Sequence, residues 1–327
     1  MAAVPRLGEF ERIRRFFAPL AGAGALGLLD DAAVFPGPPG QELVITTDAI
    51  VEGVHFLPAD PADLVARKLL RVNLSDLAAM GAAPLGYLLT TALPPTRGED
   101  WLAAFAAGLA ADQREFGIAL LGGDSVATPG PASFSMTAIG TIAAGTALRR
   151  SGAAIGDEIY VSGTIGDAAL GLKVLQGALA GLTAAERDAL AGRYRLPQPR
   201  LALGAALHGF AHALIDVSDG LVADLGHICE TSGVAAAIEA ERVPLSSAAR
   251  QALSADPSLL PLVLTGGDDY ELLFAAPPAA AEPLAALSGA LGLPVTRIGR
   301  IGAGSGVLVR DGAGREIELA SAGFQHF

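Results

Sequence analysis

The chain has 327 residues, a formal net charge of −12 and a single cysteine, Cys229. So acidic a surface argues against nucleic-acid and anionic-membrane binding, which rest on clustered Lys and Arg, and a lone cysteine excludes both a disulfide framework and a cysteine-built zinc site. Hydrophobic residues reach 51%, but most of them are alanine, and no apolar run attains the roughly 18–20 residues that span a bilayer.

In chain order, residues 5–18 carry Phe10, Ile13, Phe16 and Phe17 at helical spacing. A glycine-rich loop follows at 22–27, then a short strand at 32–35 and a second at 43–47 leading into Asp48. Asp60-Pro61 reads as a cap and first turn for a helix that stops near Gly81. A strand at 85–93, an amphipathic helix at 99–116, a buried strand at 118–121 ending in Gly122-Gly123-Asp124, and a strand at 134–142 complete the first half. Glycines at 145, 152 and 156 mark a boundary, and the expected domains are 1–148 and 149–327. The second half restarts with a strand at 158–162. Helices follow at 168–176, 184–194 and 200–208, then a strand at 213–215 running into Asp216, a helix at 221–231, and strands at 307–309 and 317–319. Strands alternating with helices indicate two α/β (α+β) domains. With no leader segment read at the N-terminus, the expected location is cytoplasmic.

The acids are unusually placed. Asp30-Asp31, Asp48, Asp76, Asp124, Asp216 and Asp219 adjoin apolar segments and Gly, Ser or Thr, rather than decorating solvated helix faces. Ligand sites of α/β folds gather at strand ends. Carboxylates brought together there need cations, and oxygen-only ligands favour hard ones such as Mg²⁺. A multi-Mg²⁺ site gripping a polyphosphate is the functional reading; ordinary Asp turns and N-caps are the plain alternative for any one of them. Gly122-Gly123-Asp124-Ser125 has the composition of a loop whose amides approach phosphate. His55 and Arg150 are candidates for a phosphate or ring contact, with a solvated or packed role equally open for each. Two patterns are set aside. Gly22-Ala23-Gly24-Ala25-Leu26-Gly27 matches a dinucleotide fingerprint but follows a helix and lacks the spaced ribose acid, and no P-loop string exists. His208 and His212 lack the glutamate of a zinc-protease motif.

Taken in order, Asp30-Asp31-Ala32-Ala33, Thr46-Thr47-Asp48, Gly53-Val54-His55-Phe56, the string from Asn73-Leu74-Ser75-Asp76 to Gly81, Gly122-Gly123-Asp124, Arg150-Ser151-Gly152, Asp216-Val217-Ser218-Asp219-Gly220-Leu221, Gly266-Gly267-Asp268-Asp269-Tyr270-Glu271-Leu272 and Gly323-Phe324 closely resemble the thiamine-monophosphate kinase family. The resemblance covers nearly the whole chain. It implies the two-domain aminoimidazole ribonucleotide synthetase-like fold, a homodimer, and direct transfer of the γ-phosphoryl group of ATP to thiamine monophosphate with several Mg²⁺ ions, a potassium ion being left open. It also implies roles: Asp31, Thr46, Thr47, Asp48, Asp76, Asp124, Asp216 and Asp219 as the metal cage; Gly122, Gly123, Arg150 and Ser218 on the nucleotide; His55, Asp268 and Phe324 on the acceptor. Three positions depart from the family: Leu28-Leu29 follow Gly27 where a Gly-Ile-Gly is usual, Asp268 stands for a glutamate, and Phe324 for a Tyr or Trp. A selenophosphate synthetase, which needs an N-terminal reactive Cys or Sec and Lys, is disfavoured because the first lysine is Lys68 and the only cysteine Cys229.

Overall fold

The computed structural model describes residues 26, 29–37 and 39–324. The expected helix at 5–18, the loop at 22–27 apart from Leu26, and residues 325–327 lie outside the described residues. The N-terminal half holds β1 (Ala33–Pro36), β2 (Gln41–Val51), α1 (Ala62–Ala79), β3 (Ala83–Leu93), α2 (Glu99–Phe116), β4 (Ala119–Ala127) and β5 (Ser133–Ala143). Its sheet has the order β1-β2-β5-β3-β4, antiparallel throughout except for the parallel pair β3–β4. β5 alternates buried and half-buried residues, so Phe134, Met136 and Ala138 face inward; this period of two is what a sheet with one covered face requires. α2 begins with Glu99 and Asp100 at the positive end of its dipole and stops where Gly117 turns left-handed at φ 67°.

The C-terminal half runs β6 (Glu158–Ser162), α3 (Asp167–Leu175), α4 (Ala184–Arg195), α5 (Leu201–Ala206), β7 (Ala213–Asp216), α6 (Leu221–Ser232), β8 (Ala235–Glu239), α7 (Ser247–Ala255), α8 (Leu260–Thr265), β9 (Leu272–Ala276), α9 (Ala281–Leu291), β10 (Val295–Gly302) and β11 (Gly306–Arg310). Its sheet has the order β11-β8-β10-β6-β9-β7. β6, β7 and β9 are buried along their whole length, being central or covered on both faces.

α1 joins the halves. It packs on β2 and β5 of its own sheet and on β7 and α5 of the other half, and its buried residues therefore lie all around it, from Val65 and Leu69 to Leu74 and Ala78. A helix apolar on one stripe alone serves one layer; this one serves two. Ala78 and Ala79 share a core cluster with Leu203, Leu207, Leu214 and Phe274. Each fully buried leucine there contributes roughly 1.5–3 kcal/mol. The approach is close: a Cβ at Gly204 would sit 2.0 Å from the Ala78 carbonyl oxygen.

Several expectations are corrected. Asp60 does not cap α1, whose N-cap is Pro61; its carboxylate accepts the Leu57 amide and pairs with Arg195 instead. Asp48 lies within β2 and not at its end. The helix expected at 200–208 shrinks to α5. Residues 317–319 form no strand, only an Ile317 amide bond to Val309 beside an isolated bridge at Arg310 and Glu316. The segment Gly122-Gly123-Asp124 is not a turn after a buried strand: β4 runs straight through it as an exposed edge strand paired with β3. Parallel pairing carries the chain past residues that read as punctuation.

Candidate active site

A cleft between the halves is lined by Asp31, Thr46, Thr47, Asp48, His55, Asp76, Arg150, Asp216, Ser218, Asp219, Asp268 and Phe324. Twelve of the residues singled out from the sequence therefore converge on one place. Gly122, Gly123 and Asp124 do not: across the ladder they stand level with Thr47 to Ala49, but β5 and β3 intervene.

The cage is built from three directions. Asp31 precedes β1, Asp76 comes from the last turn of α1, and Asp216 ends β7. Carboxylate oxygens of these three lie within 4.8 Å of one another. Thr46 on β2 donates its hydroxyl to Asp76 at 2.5 Å. Asn73 accepts the Asp48 amide at 3.1 Å, which fixes β2 against α1. Ser75, on the other side of α1, donates to Asp216 at 2.6 Å. Arg150 grips Asp31 with two guanidinium nitrogens, at 2.7 and 3.0 Å, while its amide donates to Asp30; such a fork fixes orientation as well as charge.

Electrostatically the cage is overloaded. Burial, then Asp219 and Asp31, push Asp48 up from 3.8 to about 6. Burial, then Asp31, push Asp216 up to about 8. Asp76 is raised well above its ordinary value by burial and by Asp48, Asp216 and Asp31. Burial works against the charge of Arg150, yet Asp31 beside it holds its pKa above the ordinary value. Among the described residues lining the cleft, Arg150 is the only Arg or Lys. Carboxylates so desolvated and crowded are stable as anions only with added positive charge. Their donor set is all oxygen, which fits a hard divalent cation and not zinc or copper.

At the other end of the cleft the His55 ring is oriented by its Nδ1, which accepts the Val51 amide. Asp268 pairs with Lys68 at 2.9 Å. Lys68 is 2% exposed; it also donates to the His55 carbonyl and sits 3.8 Å over the Tyr194 ring. Phe324 is held beside the loop after β7 by its amide, which donates to the Asp219 carbonyl. That loop is curled by Asp224, whose carboxylate accepts the amides of Ser218, Asp219 and Gly220.

Sequence reasoning missed Lys68, Tyr194, Asn73, Ser75 and Asp224. A lysine flanked by the apolar run of α1, beside Leu69 and Leu70, was the one available signal; the other roles appear only once the two sheets meet. His208 and His212 are accounted for by partners outside their own segment, the Gly81 carbonyl and Asp157.

Residues 29–142 match the family model described as AIR synthase related protein, N-terminal domain, and residues 154–311 the matching C-terminal domain. The chain is 43% identical over 323 residues to thiamine-monophosphate kinase of Caulobacter vibrioides, covering 97% of this chain and 90% of that protein. Against the Escherichia coli (strain K12) thiamine-monophosphate kinase identity is 42%, with 98% of each chain covered. Among solved structures, AaThiL complexed with AMPPCP and TMP aligns with a TM-score of 0.87 at 30% identity over 99% of each chain. A thiamine-monophosphate kinase from Stenotrophomonas maltophilia K279a aligns at 46% identity and a TM-score of 0.78, covering 91% of this chain and 94% of that one.

Proposed function

The chain belongs to the AIR synthase related family and, within it, to the thiamine-monophosphate kinases, and from that premise we propose how its cleft transfers the γ-phosphoryl group of ATP to thiamine monophosphate, giving thiamine diphosphate and ADP. The observation that carries the proposal is the trio Asp31, Asp76 and Asp216, gathered within 4.8 Å in a cleft whose described lining offers one guanidinium as its Arg or Lys. Phosphoryl transfer asks for aligned oxygens and neutralised charge more than for a strong base. Mg²⁺ ions held by Asp31, Asp48, Asp76, Asp216 and Asp219, with Thr46 and Thr47 beside them, supply that neutralisation when bound.

The chain's own groups do the positioning. Arg150, braced by Asp31, turns its remaining nitrogen toward a phosphate oxygen. Ser218 stands on the curled loop before α6 and meets the nucleotide. His55, Asp268 and Phe324 define the acceptor end, where Phe324 offers a face to an aromatic ring and Asp268 a carboxylate to a cationic one. The phosphoryl group passes directly between the two substrates.

The reading extends to a homodimer. On β3 and β4, Leu85, Leu88, Leu120, Leu121 and Val126 are exposed, and the outer edge of β4 has no strand beside it among the described residues. An open apolar edge is ordinarily covered in a native assembly. Pairing two copies there removes Gly122, Gly123 and Asp124 from solvent and gives them a setting that a lone protomer lacks. We place the domain boundary at 148/149 and the enzyme in the cytoplasm, in keeping with its acidic surface and single cysteine; no helix of the described residues is long and apolar enough to cross a membrane.

The test is an endpoint assay with ATP, Mg²⁺ and thiamine monophosphate, scored for thiamine diphosphate against an EDTA control. Product that disappears with EDTA supports the proposal. Binding of Mg-ATP without product would assign the cleft a different acceptor.

A further inference from the structure

The segment that carries Asp268 alternates between anchors and cleft residues. Asp269 and Glu271 are buried. Asp269 accepts the amides of Gly166 at 2.7 Å and Ala168 at 3.2 Å, tying the segment to the start of α3. Glu271 accepts the Ser162 hydroxyl at 2.6 Å and ion-pairs with Arg193 at 2.9 Å and with Arg200. Asp268, just before the first anchor, and Tyr270, between the two, face the cleft, and both hold positive φ, 66° and 51°. A bulky side chain in the left-handed region is an outlier that survives only when its surroundings over-determine it, and such outliers cluster at functional sites. Here the surroundings do so: the Tyr270 amide donates to the Val217 carbonyl and the Asp268 amide to the Ser218 carbonyl, both at 2.8 Å.

The ring so held lines the same cleft as the cage and the acceptor end. The Tyr270 hydroxyl makes no hydrogen bond to a described residue. Burial, then the charges of Asp268, Asp48, Asp216 and Asp76, raise its pKa well above the ordinary value, so it remains an O–H donor within electrostatic reach of both the cage and the acceptor end. Its neighbours there are carboxylates, which accept but do not donate when ionised. Beside the cage, the Thr46 and Ser75 hydroxyls are already engaged by Asp76 and Asp216, and two of the three Arg150 nitrogens by Asp31.

We propose that Tyr270 is a further contact of the transfer site, its phenolic O–H donating to a non-bridging oxygen of the phosphoryl group as that group passes from ATP to the acceptor phosphate. The inference rests on the kinase reading above. The bond from Pγ to the oxygen bridging it to Pβ breaks, a bond from Pγ to an acceptor phosphate oxygen forms, and the phenol keeps its proton throughout. Charge on the equatorial oxygens is what catalysis must stabilise in such a step, and a neutral donor does so without adding another titratable anion.

The test is Tyr270→Phe, which keeps the ring and the backbone strain and removes one oxygen. Loss of one hydrogen bond to a charged group lowers kcat about 10- to 100-fold, with KM for both substrates and the Mg-ATP-induced rise in melting temperature unchanged. A kcat within about two-fold of wild type overturns the inference. So does a fall in kcat that comes with loss of the Mg-ATP-induced melting shift, because Tyr270 then only shapes the cage. Wild-type protein in the same assay carries the parent reading: absence of thiamine diphosphate there removes that reading, whereas wild-type turnover matched by Y270F removes this inference alone.

Discussion

Replacing Asp216 by asparagine should make the metal-free protein more stable while crippling it as an enzyme. Asp216 is 2% exposed, and its pKa is displaced from 3.8 to about 8 by burial and by Asp31. A carboxyl whose folded pKa is raised keeps its proton in the folded state after the unfolded chain has lost it. Its contribution is therefore intact below about pH 4, declines as pH rises, and becomes a full penalty above about pH 8. At roughly 1.36 kcal/mol per pH unit, the displacement from 3.8 to about 8 sets that penalty at about 6 kcal/mol. The asparagine amide is itself a buried polar group, which costs about 1–3 kcal/mol where its N–H finds no partner, so the net release is on the order of 2 kcal/mol. For a domain of this size that is a rise of about 4–8 °C in melting temperature. Asparagine keeps an oxygen for the Ser75 hydroxyl, so that donor is not orphaned. The assay is thermal unfolding in EDTA at pH 9 and at pH 5, with Mg²⁺ titrated back and kcat measured alongside. D216N should gain at pH 9, gain far less at pH 5, respond weakly to Mg²⁺ and lose kcat by at least about 100-fold. A variant less stable than wild type at pH 9 in EDTA would refute the view that crowded, desolvated charge dominates this cage.

The wild-type protein in EDTA should lose melting temperature steadily between pH 5 and pH 8, as Asp48 near 6 and Asp216 near 8 give up their protons, and Mg²⁺ should restore most at the alkaline end; a melting temperature rising over that window contradicts the assignment. Lys68→Met strips the charge from the Asp268 pair while filling the same space, and should raise KM for thiamine monophosphate about 10-fold, about 1.4 kcal/mol, with KM for ATP little changed and Lys68→Arg retaining part of the loss; equal effects on both substrates would remove its acceptor role. Leu121→Glu, on the exposed β4 edge at 58% exposure, should shift the species seen by light scattering from dimer to monomer, and an unchanged dimer mass would place the interface elsewhere.

Local chemistry made much of the fold readable. The acidic first turn and terminal glycine of α2 and the apolar block of β6 delimit both elements from sequence alone. Where the reading failed, a non-local partner decided. β3 draws β4 through Gly122, Gly123 and Asp124 by parallel pairing, and Asp60 serves the turn before it and Arg195 in preference to its own helix. The site divides in the same way. Its carboxylates were legible as a class, since acids beside Gly, Ser and Thr at the edges of apolar segments are costly without a purpose. Lys68 was not, because its partner Asp268 lies 200 residues away along the chain, and nothing local to either residue points to the other. Tyr270 was hidden similarly, since its left-handed backbone is held by the Val217 carbonyl and flanked by Asp269 and Glu271, whose own anchors lie far off along the chain.

The burial of α1 on every side has a consequence for how the two halves keep their spacing. Asn73 and Asp76 address the first sheet, while Ser75 and Lys68 address the second half. The helix acts as a ruler engraved on both edges, while the segment between β5 and β6 carries the chain across and delivers Arg150 to Asp31. A single residue inserted between Lys68 and Asn73 would turn Lys68 by about 100° against the other three marks, so that the acceptor end and the cage no longer align on one cleft. An insertion of the same length near Gly145, where the chain is exposed and a Cβ would meet nothing, leaves the ruler untouched.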